Sequence, residues 1–251
     1  MKREQQLDFL IKQLSPLADL PGTAEAKWQL LRSLMNVREP QPVSNDFLSV
    51  QDALLQSLIA EKGITDIDDL QPIQDGIYLW RGDITTLKVD AIVNAANDAL
   101  LGCFIPCHSC IDNAIHSYAG VQLRLECAEI MEKQGKPEST GQAKITSAYN
   151  LPSRYILHTV GPIINNQVHD CDRELLASSY RSCLELAEQN KLESIAFCCI
   201  STGVFHSPND EAAAIAVKTV RDFLKINGQR MKVIFNVFTE QDERIYKALL
   251  E

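Results

Sequence analysis

Cys103, His108 and Cys110 bring two thiols and an imidazole together within eight residues, a donor set that suits zinc. Alternation along an extended segment places His108 and Cys110 on one side, and Pro106 can fold Cys103 back towards them. Three protein ligands leave a fourth position for water or substrate, the feature that separates catalytic from structural zinc. Cys107 would complete a closed Cys3His set. Adjacent residues in an extended chain face opposite ways, however, so Cys107 is excluded in favour of His108. The bland alternative is a group of unmetallated cysteines beside a hydrogen-bonded histidine.

Three further segments carry chemistry. Ser201-Thr202-Gly203-Val204-Phe205 leaves the apolar run IAFCCI and leads towards a helix, with Ser207 expected as its N-cap, Pro208 at its first position and Asp210 closing a capping box. Such a turn exposes backbone N–H groups at the positive end of a helix, which suits a diphosphate; an ordinary turn is the competing reading. Asp83, in Arg81-Gly82-Asp83-Ile84-Thr85, can accept a hydrogen bond from an exocyclic amine such as adenine's, or can be a plain turn residue. In Val93-Asn94-Ala95-Ala96-Asn97 two amides flank small residues, a pattern that suits ribose hydroxyls at a closely approached backbone, with capping by Asn97 as the alternative.

The elements that must position these residues follow from periodicity. Helices are expected over 3–14, 24–35 and 49–62, the last opened by Ser49 and closed by Gly63. From Ile77 onward, short apolar strands (77–80, 91–94, 143–146, 155–159, 195–200, 233–238) alternate with amphipathic helices (111–119, 121–133, 173–189, 209–225, 241–250). Strands read as continuous apolar runs belong in a sheet covered on both faces, hence an α/β/α sandwich. Residues 1–72 are expected to be a helical extension without a catalytic constellation, and 73–251 the main domain. The chemistry-bearing segments fall at strand ends, where ligands of open α/β sheets bind.

Composition narrows the function. A net charge of -9 argues against a chain that grips nucleic acid by its backbone, although backbone amides can still cradle a small anion. No stretch approaches the roughly 20 apolar residues of a membrane span. The opening MKREQQLDFLIKQL is unlike a secretory signal, so a cytoplasmic location is expected. Eight cysteines, two of them adjacent at Cys198 and Cys199, read as buried thiols and metal ligands and not as a disulfide framework.

Taken together, RGDIT, IVNAAN, Lys144-Ile145-Thr146, the segment from Ile156 to Pro162 and the segment from Cys199 to Phe205 resemble, in order and approximate spacing, the macrodomains of the MacroD type, over roughly 77–250. The resemblance implies a macrodomain sandwich with a mixed central sheet that binds ADP-ribose. It implies Asp83 on adenine with Ile84 beside it, Asn97 near the distal ribose, Ser201, Thr202, Gly203, Val204 and Phe205 around the diphosphate, and Phe238 against the adenine face. It also implies hydrolysis of ADP-ribose linked to protein carboxylates.

The departure is equally informative. Where MacroD-type proteins carry a glycine run, this chain has the segment from Leu101 to Asp112 with its Cys/His cluster. In this it is similar to the zinc-dependent macrodomains of microbes, in which the same three positions hold the metal beside the distal ribose. That similarity implies a lipoate-linked carrier protein as substrate and a sirtuin that adds the ADP-ribose. Asp112 matches the acidic position near the scissile bond and is expected to face the ribose and to orient or deprotonate the nucleophile, while His116 reads as structural. Two alternatives remain: a reader that binds ADP-ribose over a structural zinc, and a deacetylase of O-acetyl-ADP-ribose.

Overall fold

Three helices come first in the computed structural model, which describes residues 1–165, 167–203, 205–228 and 230–251. Leu7, Leu10 and Ile11 form the buried stripe of α1 (Arg3–Leu14). Thr23 caps α2 (Ala24–Val37) by accepting from the Ala26 N–H, and Ser44 caps α3 (Asn45–Lys62) by accepting from the Phe47 N–H. The expected start at Ser49 is therefore a turn too late. Phe47 is buried with Leu54 and Leu55, so the stripe that must be covered begins before Ser49. Gly63, at φ +86°, ends α3 in a conformation that side chains resist.

A short parallel ladder joins β1 (Thr65–Asp66) to β3 (Leu87–Lys88). The main sheet contains β2 (Ile77–Arg81), β4 (Ala91–Ala95), β5 (Ala143–Ser147), β6 (Tyr155–Thr159), β7 (Ser194–Phe197) and β8 (Lys232–Val237) in the order β2-β8-β7-β4-β6-β5. Every pairing is parallel except β5 with β6. Strands β4, β6, β7 and β8 are buried almost throughout, as a sheet covered on both faces requires. On one side α6 (Asp170–Gln189), α7 (Asn209–Ile226) and α8 (Glu240–Leu250) pack in series. On the other lie α4 (Ile111–Ala119) and α5 (Val121–Gln134), with α2 and α3 against α4. The architecture is the expected three-layer α/β/α sandwich with a mixed sheet.

The apolar residues form two main cores. Leu7, Leu10, Leu31, Phe47 and Leu54 close the helical one, with Val121 of α5 packed against it. The larger core fills the sandwich and already includes Ile59 of α3 and Ile67 just after it, so the end of α3 packs into the sandwich core. No helix among the described residues is long and apolar enough to cross a membrane.

Two departures from the expected elements shape the cleft. β7 stops at Phe197, three residues before the expected end at Ile200. It pairs with β4 only through Ala91↔Ile195 and Ile92↔Ala196, so the carboxyl ends of these neighbours part and the sheet splits there. At the start of α7, Pro208 and not Ser207 occupies the N-cap and no side chain caps it. Ser207 instead donates its N–H to the Ser201 carbonyl at 2.9 Å, which closes the preceding loop.

Asp90 clamps the opposite end of the same strands. Its Oδ2 accepts from the Glu193 N–H at 2.7 Å and the Ser194 N–H at 3.1 Å, and its Oδ1 pairs with Arg154 Nη1 at 2.8 Å. Burial alone would raise this carboxyl, but those hydrogen bonds and Arg154 outweigh it and hold the pKa below the ordinary value. Asp90→Ala is expected to cost about 1–3 kcal/mol of stability at neutral pH. Because the folded pKa is the lower one, the Asp90 contribution is complete above the unfolded value of about 4 and fades as pH falls through the folded value. Urea unfolding of both proteins at pH 7 and in strong acid checks this: the difference should shrink in acid.

Candidate active site

Where β4 and β7 separate, the chain leaves a cleft of about 560 Å³, within the roughly 300–1,000 Å³ range of small-molecule sites. It lies at the carboxyl ends of β2, β4, β7 and β8, so the segments that follow these strands form its walls.

One wall is the loop before α4. It brings Cys103, His108 and Cys110 together with their donor atoms within 4.8 Å of one another, all half-buried. Cys103 Sγ stands 3.6 Å from His108 Nδ1, close to the roughly 3.5 Å separating a sulfur and a nitrogen ligand around tetrahedral zinc. Donor chemistry and spacing both fit that ion. Cys107 is turned away from the three donors, its Sγ donating to the Gln29 carbonyl at 3.3 Å. Cys110 also caps α4, with its Sγ accepting from the Asn113 N–H at 3.4 Å, and burial pushes its thiol up to about 12. Gly102, at φ +81°, lays its backbone on the His116 ring, where a Cβ would come within 2.8 Å of the imidazole.

Helical period decides what α4 offers the cleft. Ile111, Ala114 and Tyr118 line it, while Asp112, Ile115, His116 and Ala119 are buried. Asp112 was expected to face the ligand, yet its carboxylate lies beneath the wall. Its Oδ1 accepts from Asn94 Nδ2 at 2.8 Å and stands 3.5 Å from His116 Nε2. Burial raises its pKa to about 6, against the opposing pull of Asn94 and Arg124. Burial also lowers His116 and takes His158 down to about 3, so both rings are neutral in the core. His158 is satisfied there by Asn94 and Thr146.

Asn97, expected beside the ribose, uses its amide on its own loop. Oδ1 accepts from the Ala99 N–H and Nδ2 donates to the Gly102 carbonyl, each at 3.1 Å. This is the turn-forming use of asparagine. It fixes the chain just ahead of Cys103.

The facing wall is the turn after β7, with Ser201, Thr202, Gly203 and Phe205 on the cleft and Val204 outside the described residues. Ser201 adopts φ +66°, and its buried Oγ has no hydrogen-bond partner among the described residues. The N–H groups of Thr202 and Gly203 find no backbone acceptor among the described residues. Together they offer donors to an anion.

At the far end, Phe238 is 78% exposed on the rim, with Ile84 and Asp83 across from it. Asp83 Oδ1 accepts from the Thr85 N–H and hydroxyl, and its Oδ2 pairs with Lys62 Nζ at 2.7 Å. Burial opposes ionisation, but Lys62 and Thr85 prevail and hold the pKa below the ordinary value. Lys62 and Arg32 both line the cleft from the first three helices, and sequence reasoning missed them. In the sequence Asn94 reads only as one of a pair of amides; fully buried in β4, it is the hydrogen-bond donor to Asp112 in the core.

Residues 93–216 match the Macro domain family. A protein-ADP-ribose hydrolase of Treponema medium is 57% identical over 235 residues, spanning 92% of this chain and 90% of the relative. A protein of the same name from Staphylococcus aureus (strain MSSA476) is 55% identical over 230 residues, or 91% of this chain and 86% of the relative. Among solved structures, a Trypanosoma brucei macrodomain in complex with ADP-ribose superposes with a TM-score of 0.69 at 30% identity, covering 93% of this chain and 97% of that one. An Oceanobacillus iheyensis macrodomain with ADP gives 0.65 at 44% identity over 72% and 93%. With this sheet order, a cleft at the strand ends and relatives matched over nearly their whole length, the chain belongs to the macrodomain family.

Proposed function

We propose that this protein hydrolyses the bond between mono-ADP-ribose and modified protein side chains, acting on Asp or Glu esters, with zinc held by Cys103, His108 and Cys110. One observation carries the reading: His108 and Cys110 share a single cleft with the anion-binding turn at Ser201, Thr202, Gly203 and Phe205. Such a cleft can hold the diphosphate of a nucleotide while a sugar lies against the metal ligands. Relatives named as protein-ADP-ribose hydrolases at 55–57% identity support the activity. The resemblance to microbial zinc macrodomains suggests a lipoyl-carrier protein as the modified acceptor.

When bound, zinc would supply a Lewis acid beside the distal ribose. The chain does the rest. The backbone N–H groups of Thr202 and Gly203 and the Ser201 hydroxyl take the diphosphate and fix the sugar's distance from the loop. Phe238 stacks on adenine, Ile84 packs beside it and Asp83 accepts from its amine. Asn97 acts by holding Gly102, and through it Cys103, in register. Asp112, whose carboxylate lies beneath the cleft wall on Asn94, takes the proton of the attacking water once its side chain turns into the cleft with substrate bound.

The reaction is tested with a protein carrying mono-ADP-ribose on carboxylates, followed by mass spectrometry. The expected products are free ADP-ribose and the unmodified acceptor. Tight ADP-ribose binding with an intact modified protein would instead identify a reader, and turnover confined to O-acetyl-ADP-ribose a deacetylase. For the adenine end, Asp83→Ala is expected to weaken ADP-ribose binding by about 1.5–3 kcal/mol, roughly 10- to 150-fold. Titration calorimetry measures it, and unchanged affinity would remove Asp83 from the adenine contact.

A further inference from the structure

The turn between Cys103 and His108 is held from a helix that precedes the sandwich. Arg32 of α2 donates from one nitrogen, Nη2, to both the His108 carbonyl at 3.0 Å and Asn113 Oδ1 at 2.7 Å, and from Nε to Ser117 Oγ at 3.2 Å. Asn113 is fully buried and passes the hold onward, with its Nδ2 donating to the Ile105 carbonyl at 2.9 Å. One turn along α2, Asn36 Oδ1 accepts from the Cys107 N–H at 2.8 Å. Cys107 stands there at φ +51°, a left-handed backbone that side-chain-bearing residues avoid unless held. The carbonyls of Ile105 and His108 and the amide of Cys107 are thus fixed by α2, directly or through Asn113.

From this geometry we propose that Arg32 is a positioning residue for the metal ligands, so that the N-terminal helices are a working part of the metal site. The inference rests on the zinc reading above. Three donors spread over eight residues converge only if the intervening turn keeps its shape, and nothing covalent enforces that shape. The planar guanidinium reaches Ser117 through Nε and the His108–Asn113 pair through Nη2, whereas a lysine ammonium is a single point donor that cannot reproduce the fork. Groups that orient metal ligands from outside the coordination sphere contribute directly to metal affinity.

The full-length chain is loaded with zinc and challenged with a chromophoric chelator, and a cobalt-loaded sample is read by its absorption bands. Arg32→Lys and Arg32→Met are expected to lose about 10–100-fold in zinc affinity and to alter the cobalt spectrum. The control is Leu31→Ala on the same helix, which removes a side chain fully buried in the helical core. It should lower the melting temperature yet keep wild-type zinc affinity. Wild-type affinity and spectrum in both Arg32 variants would overturn the proposal, as would an equal loss of zinc in Leu31→Ala, which would indicate general loosening. A wild-type chain that takes up no zinc at all would overturn the zinc reading itself, and the inference with it, before any variant is compared.

Discussion

Cys110→Ser is expected to leave ADP-ribose binding within a few-fold of wild type and to slow release from a modified protein by about three orders of magnitude, the several kcal/mol that a Lewis acid supplies. The substitution is unusually clean. Cys110 has two duties, the N-cap of α4 through the Asn113 N–H and, in the proposed zinc site, a metal donor. Serine is among the best N-caps, so the helix that carries Asp112 stays anchored while the sulfur is lost. The proposed anchors for the rest of the nucleotide sit on other elements: Asp83 and Ile84 after β2, Ser201, Thr202, Gly203 and Phe205 after β7, and Phe238 after β8. His108→Ala should behave alike. Rapid-quench measurement of ADP-ribose release, paired with calorimetry of free ADP-ribose, separates the two effects. Parallel loss of binding and turnover would mean that the loop is a structural wall and not a metal centre.

The second large effect is expected from Asp112→Asn, a loss of about 10²–10⁴ in kcat with KM little changed, the range for removing a general acid–base group. Asparagine is isosteric and can keep its oxygen on Asn94 Nδ2, the contact the carboxylate makes now. What it cannot do is take a proton. Asp112 stands just under the cleft wall in this structure, and catalytic hydrogen bonds commonly tighten only with substrate in place. Steady-state kinetics on the modified protein, with the melting temperature as control, decide the matter. Full activity in Asp112→Asn would make the carboxylate a purely structural partner of Asn94 and His116.

Much of this organisation was legible in the sequence for a physical reason: local patterns encode local outcomes. Strand periodicity, the glycine after α3 and the donor spacing from Cys103 to Cys110 each depend on neighbours a few residues away, and the observed elements agree with them closely. The discrepancies are contacts between distant parts of the chain. The α3 start depends on Phe47 being buried against α1 and α2, which Ser49 cannot signal. β7 ends at Phe197 because β4 diverges from it, not because IAFCCI loses strand character. The inward turn of Asp112 follows from which stripe of α4 the sheet claims, and the helical pattern leaves that phase open by a single residue. Arg32 and Lys62 reach the site across 76 and 21 residues of chain, to His108 and Asp83 respectively, and carry no motif that announces it.

In the proposed mechanism two sulfurs and one ring nitrogen hold a metal ion on which turnover depends. The most direct measurement is to strip the wild-type chain with a strong chelator, verify by atomic emission that no zinc remains, and follow ADP-ribose release from a carboxylate-modified protein before and after zinc is returned. Release is expected to stop in the metal-free chain and to resume at one equivalent of zinc, with free ADP-ribose bound in both states. Release at the full rate from a verified metal-free chain would contradict it.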